Sequence, residues 1–173
     1  MRILFVGDVV GRSVRDAVVK HLPELKGRLK ADAVIVNGEN SAHGVGITEA
    51  ICKELYAAGA DVITTGNHAW AQREIIPYFD RDPKLLRPLN YPKGTMGNGA
   101  YLHQTPSGQI IAVINAMGRV FMDPIENPFS VMDEYLQSVR LGVQAHAIFV
   151  DFHAEATSEK MAIAHHLDGR VSA

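Results

Sequence analysis

The sequence is short of cysteine, of excess charge and of long apolar runs, and each shortage removes a class of protein. Cys52 is the single cysteine in 173 residues, so no internal disulfide forms and a thiolate cage for a soft metal is excluded. Lys and Arg number 17 against 19 Asp and Glu, a formal net charge of −2. That balance offers no basic field to grip a phosphate backbone, so non-specific nucleic-acid binding is not expected. No apolar run approaches the roughly 18–20 residues of a membrane span, and only Met1 and Arg2 precede the first apolar run, too few for a signal peptide. The expectation is a cytoplasmic protein without membrane contact. The segment Gly7-Asp8-Val9-Val10-Gly11-Arg12 lacks both the Gly-x-Gly-x-x-Gly and the Gly-Lys-Ser/Thr patterns, which makes it a weak match to a dinucleotide or P-loop site.

What is present is a globular composition, 47% hydrophobic and 21% charged, with eight histidines. No composition shift or repeat divides the chain, so residues 1–173 read as a single domain. Short apolar, mostly β-branched runs at 3–7, 33–37, 62–65, 110–115 and 147–152 predict buried strands. Helical patterns lie between them at 13–28, 48–58, 71–79, 130–141 and 158–167. Ser13 and Thr48 are placed as N-caps, and Gly27, Gly59, Gly142 and Gly169 just past last turns. The first three strands read as consecutive βαβ units, hence as a parallel sheet. The Pro- and Gly-rich segment 86–122 reads differently, with 99–104 and 109–115 as a hairpin around Pro106-Ser107-Gly108. The fold class is therefore an α/β sandwich of mixed sheets flanked by helices, with an antiparallel addition.

In open α/β sheets, sites form beyond the carboxyl ends of strands. Those ends read Gly7-Asp8, Asn37-Gly38-Glu39-Asn40, Thr65-Gly66-Asn67-His68 and Asp151-Phe152-His153. Four strands thus deliver oxygen and nitrogen donors to what the pattern presents as one edge of one sheet. A hard or borderline divalent cation suits that set. Gly7, Gly38 and Gly66 each precede a candidate donor, where a missing Cβ permits close approach.

Singly, each element has an ordinary structural reading: Asp8 as a helix cap, Glu39-Asn40 as a solvated loop, Asn67-His68 as a turn, His153 as a hydrogen-bonded histidine. Their joint placement favours a site. The other histidines do not join it. His165 and His166 are neighbours on a helix and point about 100° apart; His21 lies in a helix, His103 in the hairpin, and His146 at the wrong end of its strand. His43 follows Glu39-Asn40 and is a candidate substrate contact, as are Arg12 and Arg15 near the first helix start. Trp70 reads as core sooner than as a stacking surface.

Gly66-Asn67-His68, with an aspartate after the first strand and an acidic residue after the second, resembles the calcineurin-like metallophosphoesterases. More closely, Ile3 to Gly11, Val36 to Asn40, Thr65 to Trp70, Asn115-Ala116-Met117-Gly118-Arg119 and Val150 to Lys160 resemble the YmdB family of bacterial dinuclear phosphodiesterases, a likeness covering essentially the whole chain. Where the broad superfamily has Asp-x-His and a bridging aspartate, this chain has Asp8-Val9-Val10 and Glu39-Asn40, as the smaller family does. The resemblance implies a metal-dependent phosphodiesterase acting on cyclic nucleotides, of the 2′,3′ or 3′,5′ type, by attack of a metal-bridging hydroxide. Its cofactors would be two divalent ions, iron or manganese. Asp8, Glu39 and Asn40 would hold one metal, Glu39 would bridge, Asn67 and His153 would hold the second, and His68 would be the catalytic proton donor. The resemblance also implies a further strand and a Gly-Thr-His-Thr-His segment with two more ligating histidines, so residues 1–173 are expected to be a metallophosphoesterase domain with its C-terminal part missing. Alternative readings are a phosphomonoesterase or a non-catalytic nucleotide-sensing regulator; self-association into a homo-oligomer is left open.

Overall fold

Two open sheets lie face to face in the computed structural model, which describes residues 1–173. The first comprises β1 (Ile3–Val6), β2 (Ala33–Asn37), β3 (Val62–Thr64) and β4 (Leu85–Leu86), all parallel and in sequence order. The second comprises β5 (Ala100–Gln104), antiparallel to β6 (Ile110–Met117), and β7 (Ala147–His153), parallel to β6. Helices α1 (Gly11–Leu29), α2 (Glu49–Ala57) and α3 (Ile76–Arg81) back the first sheet, and α4 (Pro128–Ser138) and α5 (Thr157–Leu167) back the second. Ser172 and Ala173 run beside β7, with Ala173 accepting from Val150 N (2.9 Å) and donating to Ile148 O (3.3 Å).

Strand alternation explains the layering, because successive side chains point to opposite faces. Val34 and Val36 join Leu22, Leu55 and Phe79 under the first helices, while Ala112, Ile114 and Ile148 join Met132, Leu136 and Ile163 under the second. The opposite parity makes the layer between the sheets: Ala33, Ile35 and Val62 meet Ile111, Val113, Ala147 and Phe149. Continuing those inward rows by one step reaches Asn37, Thr64, Asn115 and Asp151, all buried. The shared layer therefore turns from apolar to polar toward the carboxyl ends of the strands, and there the candidate site lies.

Several boundaries differ from the sequence reading. Ser13 caps nothing: α1 starts at Gly11, whose φ of +69° only glycine adopts freely, and Gly11 N donates to Asn40 O (2.9 Å). The start is set by that tie to the loop after β2. Gly27 stays inside α1, and Lys30 (φ +51°) makes the left-handed exit by donating to Gly27 O and Lys26 O. Thr48 does cap α2, its Oγ1 accepting from Ile51 N at 3.3 Å, and Gly59 follows that helix with φ +108°. The helix expected from residue 71 begins as a 3₁₀ turn at Arg73–Ile75, with Pro77 in the first turn of α3. Gly142 turns a small loop closed by Gly142 N to Ala145 O (2.8 Å), beyond the actual end of α4 at Ser138. The two-residue β4 carries too little pattern to be read from sequence.

The larger correction concerns the sheets. β7 does not belong to the sheet of β1 to β3, so the four donor-bearing ends are the carboxyl edges of two sheets packed together.

Candidate metal centre

Asp8, Glu39, Asn40, Asn67, His68 and His153 form one hydrogen-bonded cluster at those carboxyl edges. Asn40 Nδ2 donates to Asp8 Oδ1 (2.9 Å) and Oδ2 (3.1 Å). Since Asp8's carboxylate accepts, the amide is oriented with Oδ1 toward His68, whose Nδ1–H donates to it at 2.7 Å. That bond fixes the His68 tautomer and leaves Nε2 as the free nitrogen. His153 faces Glu39 Oε1 through Nδ1 (3.0 Å) and Asn67 Oδ1 through Nε2 (2.7 Å). The backbone N–H of His68 donates to Glu39 Oε2 (3.4 Å), so the loops after β2 and β3 are linked directly.

Electrostatics at the cluster follow from burial. Glu39 is fully buried, which pushes its carboxyl up to about 7, with the charges of Asp8 and Asp151 adding and the His68 N–H opposing. Burial lowers His153 in turn, against the pull of Asp151 and Asp8. Both shifts run toward the neutral form.

The donor set fits a divalent cation. Asp8 and Glu39 offer carboxylate oxygens, Asn40 and Asn67 amide oxygens with a second lone pair each, and His153 an imidazole nitrogen. No three His, Cys, Asp or Glu side chains form a cage by themselves; the group is a ligand set only with its two amides. Backbone packing is shaped to match. A Cβ on Gly66 would collide with Glu39 Oε2 and stand 2.6 Å from His153 Cγ, so only glycine lets the β3 loop close over both. Gly7 and Gly38 do not serve this purpose: a Cβ on Gly7 would meet only Phe5 Cε1, at an ordinary 4.0 Å, and Gly38 abuts Ile47 in the core.

Beneath the cluster lies a buried polar seam that the sequence reading assigned no role. Asp151 on β7 accepts from Asn37 Nδ2 of β2 (2.9 Å) and from the Thr64 hydroxyl of β3 (2.5 Å). Asn115 on β6 accepts from Thr65 N (3.1 Å) and donates to Asp151 O (3.2 Å). Burial pushes the Asp151 carboxyl up, and the Thr64 and Asn37 bonds oppose this. The signal in the sequence was a polar residue at the same inward parity on each run, legible only once the runs are known to face one another.

The remaining candidates lie apart from the cluster. Arg15 donates to Ser41 O (3.2 Å), and Arg12 pairs with Asp16 in solvent. His43 is exposed, with φ +57°. Trp70 packs on Phe79 and Tyr91, with ring centroids 4.8 and 5.6 Å away, as core. His146 accepts from Ile110 N (3.0 Å), and His166 bonds Asp133 (2.9 Å).

The chain is 48% identical over 173 residues to a 2′,3′-cyclic-nucleotide 2′-phosphodiesterase of Bacillus subtilis, covering 100% of this chain and 64% of that protein. Among solved structures it resembles a hypothetical protein from Thermus thermophilus (TM-score 0.90, 43% identity, 99% of this chain and 65% of that one). It also resembles a novel phosphatase from Mycoplasma pneumoniae (TM-score 0.88, 34% identity, 98% of this chain and 61% of that one). The chain thus spans under two thirds of the length of these relatives. Residues 4–173 match the family model described as YmdB-like protein, and the chain belongs to the YmdB-like family.

Proposed function

We propose that this chain carries the metal-binding centre of a phosphodiesterase that hydrolyses cyclic nucleotides. The observation that carries the reading is the convergence of Asp8, Glu39, Asn40, Asn67, His68 and His153 into one cluster at the carboxyl edges of both sheets. Its B. subtilis relative is named for action on 2′,3′-cyclic nucleotides, which supports that substrate class; the 3′,5′ class is the second candidate. Asp8, Glu39, Asn40, Asn67 and His153 would hold two divalent cations, with manganese or iron matching the oxygen-rich donors. When bound, such a pair supplies Lewis acidity and lowers the pKa of water.

The chain's own residues supply the rest. Glu39, fully buried and held by His153, is fixed in position before substrate arrives. His68, steadied by Asn40 through Nδ1, presents Nε2 to the leaving oxygen of a phosphodiester; in its imidazolium form, with both nitrogens protonated, it gives the Nε2 proton to that oxygen and reverts to the Nδ1–H tautomer, a role worth roughly 10²–10⁴-fold in rate. The test is hydrolysis of bis-p-nitrophenyl phosphate by manganese-loaded protein. His68→Ala is expected to lose that factor while keeping its metal content; an unchanged rate removes the assignment. Phosphomonoesterase action is the second reading, favoured by the relative named a phosphatase, and faster turnover of p-nitrophenyl phosphate than of the diester would establish it.

A further inference from the structure

The segment after β6 carries a feature that neither folding nor metal binding explains. Phe121 is 90% exposed and sits at φ +63°, a left-handed conformation that is uncommon for a bulky side chain and costs stability. Val120 beside it is also exposed. Such a tip would normally belong to a loose loop, yet the base of this one is held firmly.

Gly118 N donates to His153 O (2.8 Å), tying the loop directly to the strand end that bears a candidate ligand. The buried carboxylate of Glu159, in the first turn of α5, accepts from Arg119 N (2.9 and 3.1 Å) and Val120 N (3.2 Å). Gly118 is required there, because a Cβ would collide with Glu159 Oε2 and stand 2.8 Å from Ala154 Cβ. At the far side, fully buried Asn90 binds both ends: Met117 N donates to its Oδ1 (2.9 Å), and its Nδ2 donates to Met117 O (2.7 Å) and Glu126 O (3.0 Å). Two buried polar side chains thus anchor both ends of the loop 118–126.

We infer that this loop is a preformed platform for a nucleobase, with Phe121 stacking on the base of a nucleotide whose phosphoryl group lies at Asp8, Glu39, Asn67 and His153. The inference rests on the phosphodiesterase reading above and names how that site selects its substrate. Phe121 lies three positions after Gly118, so its backbone is within about 11 Å of the residue that bonds His153 O. A nucleotide is a ligand that carries a planar ring within such reach of its phosphoryl group. Anchoring the base of the loop in advance lowers the ordering cost that a loosely tethered loop would incur on binding.

The test uses Phe121→Ala and Phe121→Tyr in the intact protein. Loss of one stacked base predicts a roughly five- to hundredfold rise in KM for 2′,3′-cyclic AMP in Phe121→Ala, with recovery in Phe121→Tyr. Inhibition by inorganic phosphate, which has no base, is expected to be the same in all three proteins. Independently of turnover, the adenine protons of adenosine 3′-monophosphate should shift upfield in NMR with the wild-type and Phe121→Tyr chains and not with Phe121→Ala. A chain that binds phosphate but whose nucleotide affinity is the same in Phe121→Ala overturns the platform and leaves the phosphodiesterase reading standing. A wild-type chain that binds neither phosphate nor nucleotide overturns both. If Phe121→Ala abolishes self-association by light scattering while nucleotide affinity holds, Phe121 belongs to an interface between copies, and the platform is overturned.

Discussion

Replacing Asp151 with alanine tests whether the polar seam, as well as the apolar layer, holds the two sheets together. The side chain accepts from Asn37 and from Thr64, one on each of two strands of the opposite sheet, and all three residues are buried. A hydrogen bond to a charged group contributes about 1.5–3 kcal/mol, so removing two and stranding their donors costs about 3–6 kcal/mol. Alanine also relieves the desolvation that pushes the Asp151 carboxyl up, which returns part of that sum and brings the expected loss to about 3 kcal/mol. For a domain of this size each kcal/mol shifts Tm by about 2–4 °C, so thermal unfolding followed by circular dichroism at pH 7 should show a fall of about 6–12 °C. Asp16→Ala, at an exposed position paired with solvent-exposed Arg12 and only at 3.9 Å with Arg15, is the control and should stay within about 0.5 kcal/mol. Asp151→Asn should fall between, since both donors reach the same oxygen, Oδ2, which an amide oxygen can replace, but without the charge that strengthens the two bonds. A Tm for Asp151→Ala equal to that of the control would refute the reasoning, because it would mean that the seam contributes nothing beyond filling space.

Two further outcomes follow from the same geometry. Gly66→Ala drives a methyl group into Glu39 and His153, an overpacking cost of about 1–3 kcal/mol, and should lower manganese content after dialysis, measured by elemental analysis; full retention would show that the loop yields easily. Asp133 accepts from Arg170 Nη1 (2.6 Å) and His166 Nε2 (2.9 Å), and Arg170 foremost holds its carboxyl below the ordinary 3.8. A lowered acid stabilises the fold above 3.8 and loses that contribution as pH falls through the lowered value, so urea midpoints of wild type and Asp133→Asn should differ at pH 7 and converge in acid. The site is largely exposed, so the gap is about 0–1 kcal/mol, and a gap independent of pH would exclude the linkage.

The strands and the donors were legible because both signals are local. Runs such as Ala33-Val34-Ile35-Val36 carry their burial in composition, and Glu39-Asn40 and Asn67-His68 stand where a strand stops. Helix starts were less legible when a distant contact set them. Thr48 caps α2 with its own hydroxyl, whereas α1 begins at Gly11 because Asn40, from the next βα loop, holds the Gly11 N–H. Glycines misled for a similar reason: Gly27 is helical, and of the three that precede donors only Gly66 is crowded by the candidate ligands themselves.

By itself, the sequence determined which elements form, that they alternate, and that oxygen and nitrogen donors gather at the ends of strands, since propensity and period-two patterning act within a few residues. Only the tertiary structure decided that β7 lies in a second sheet, that Asp151 faces Asn37 and Thr64 across the layer, and that Asn40 orients His68. Those are contacts between residues 28 to 114 positions apart, made when two separately patterned sheets bury their apolar faces against each other. The polar residues that end each inward row are thereby brought together, in a place that no single strand specifies.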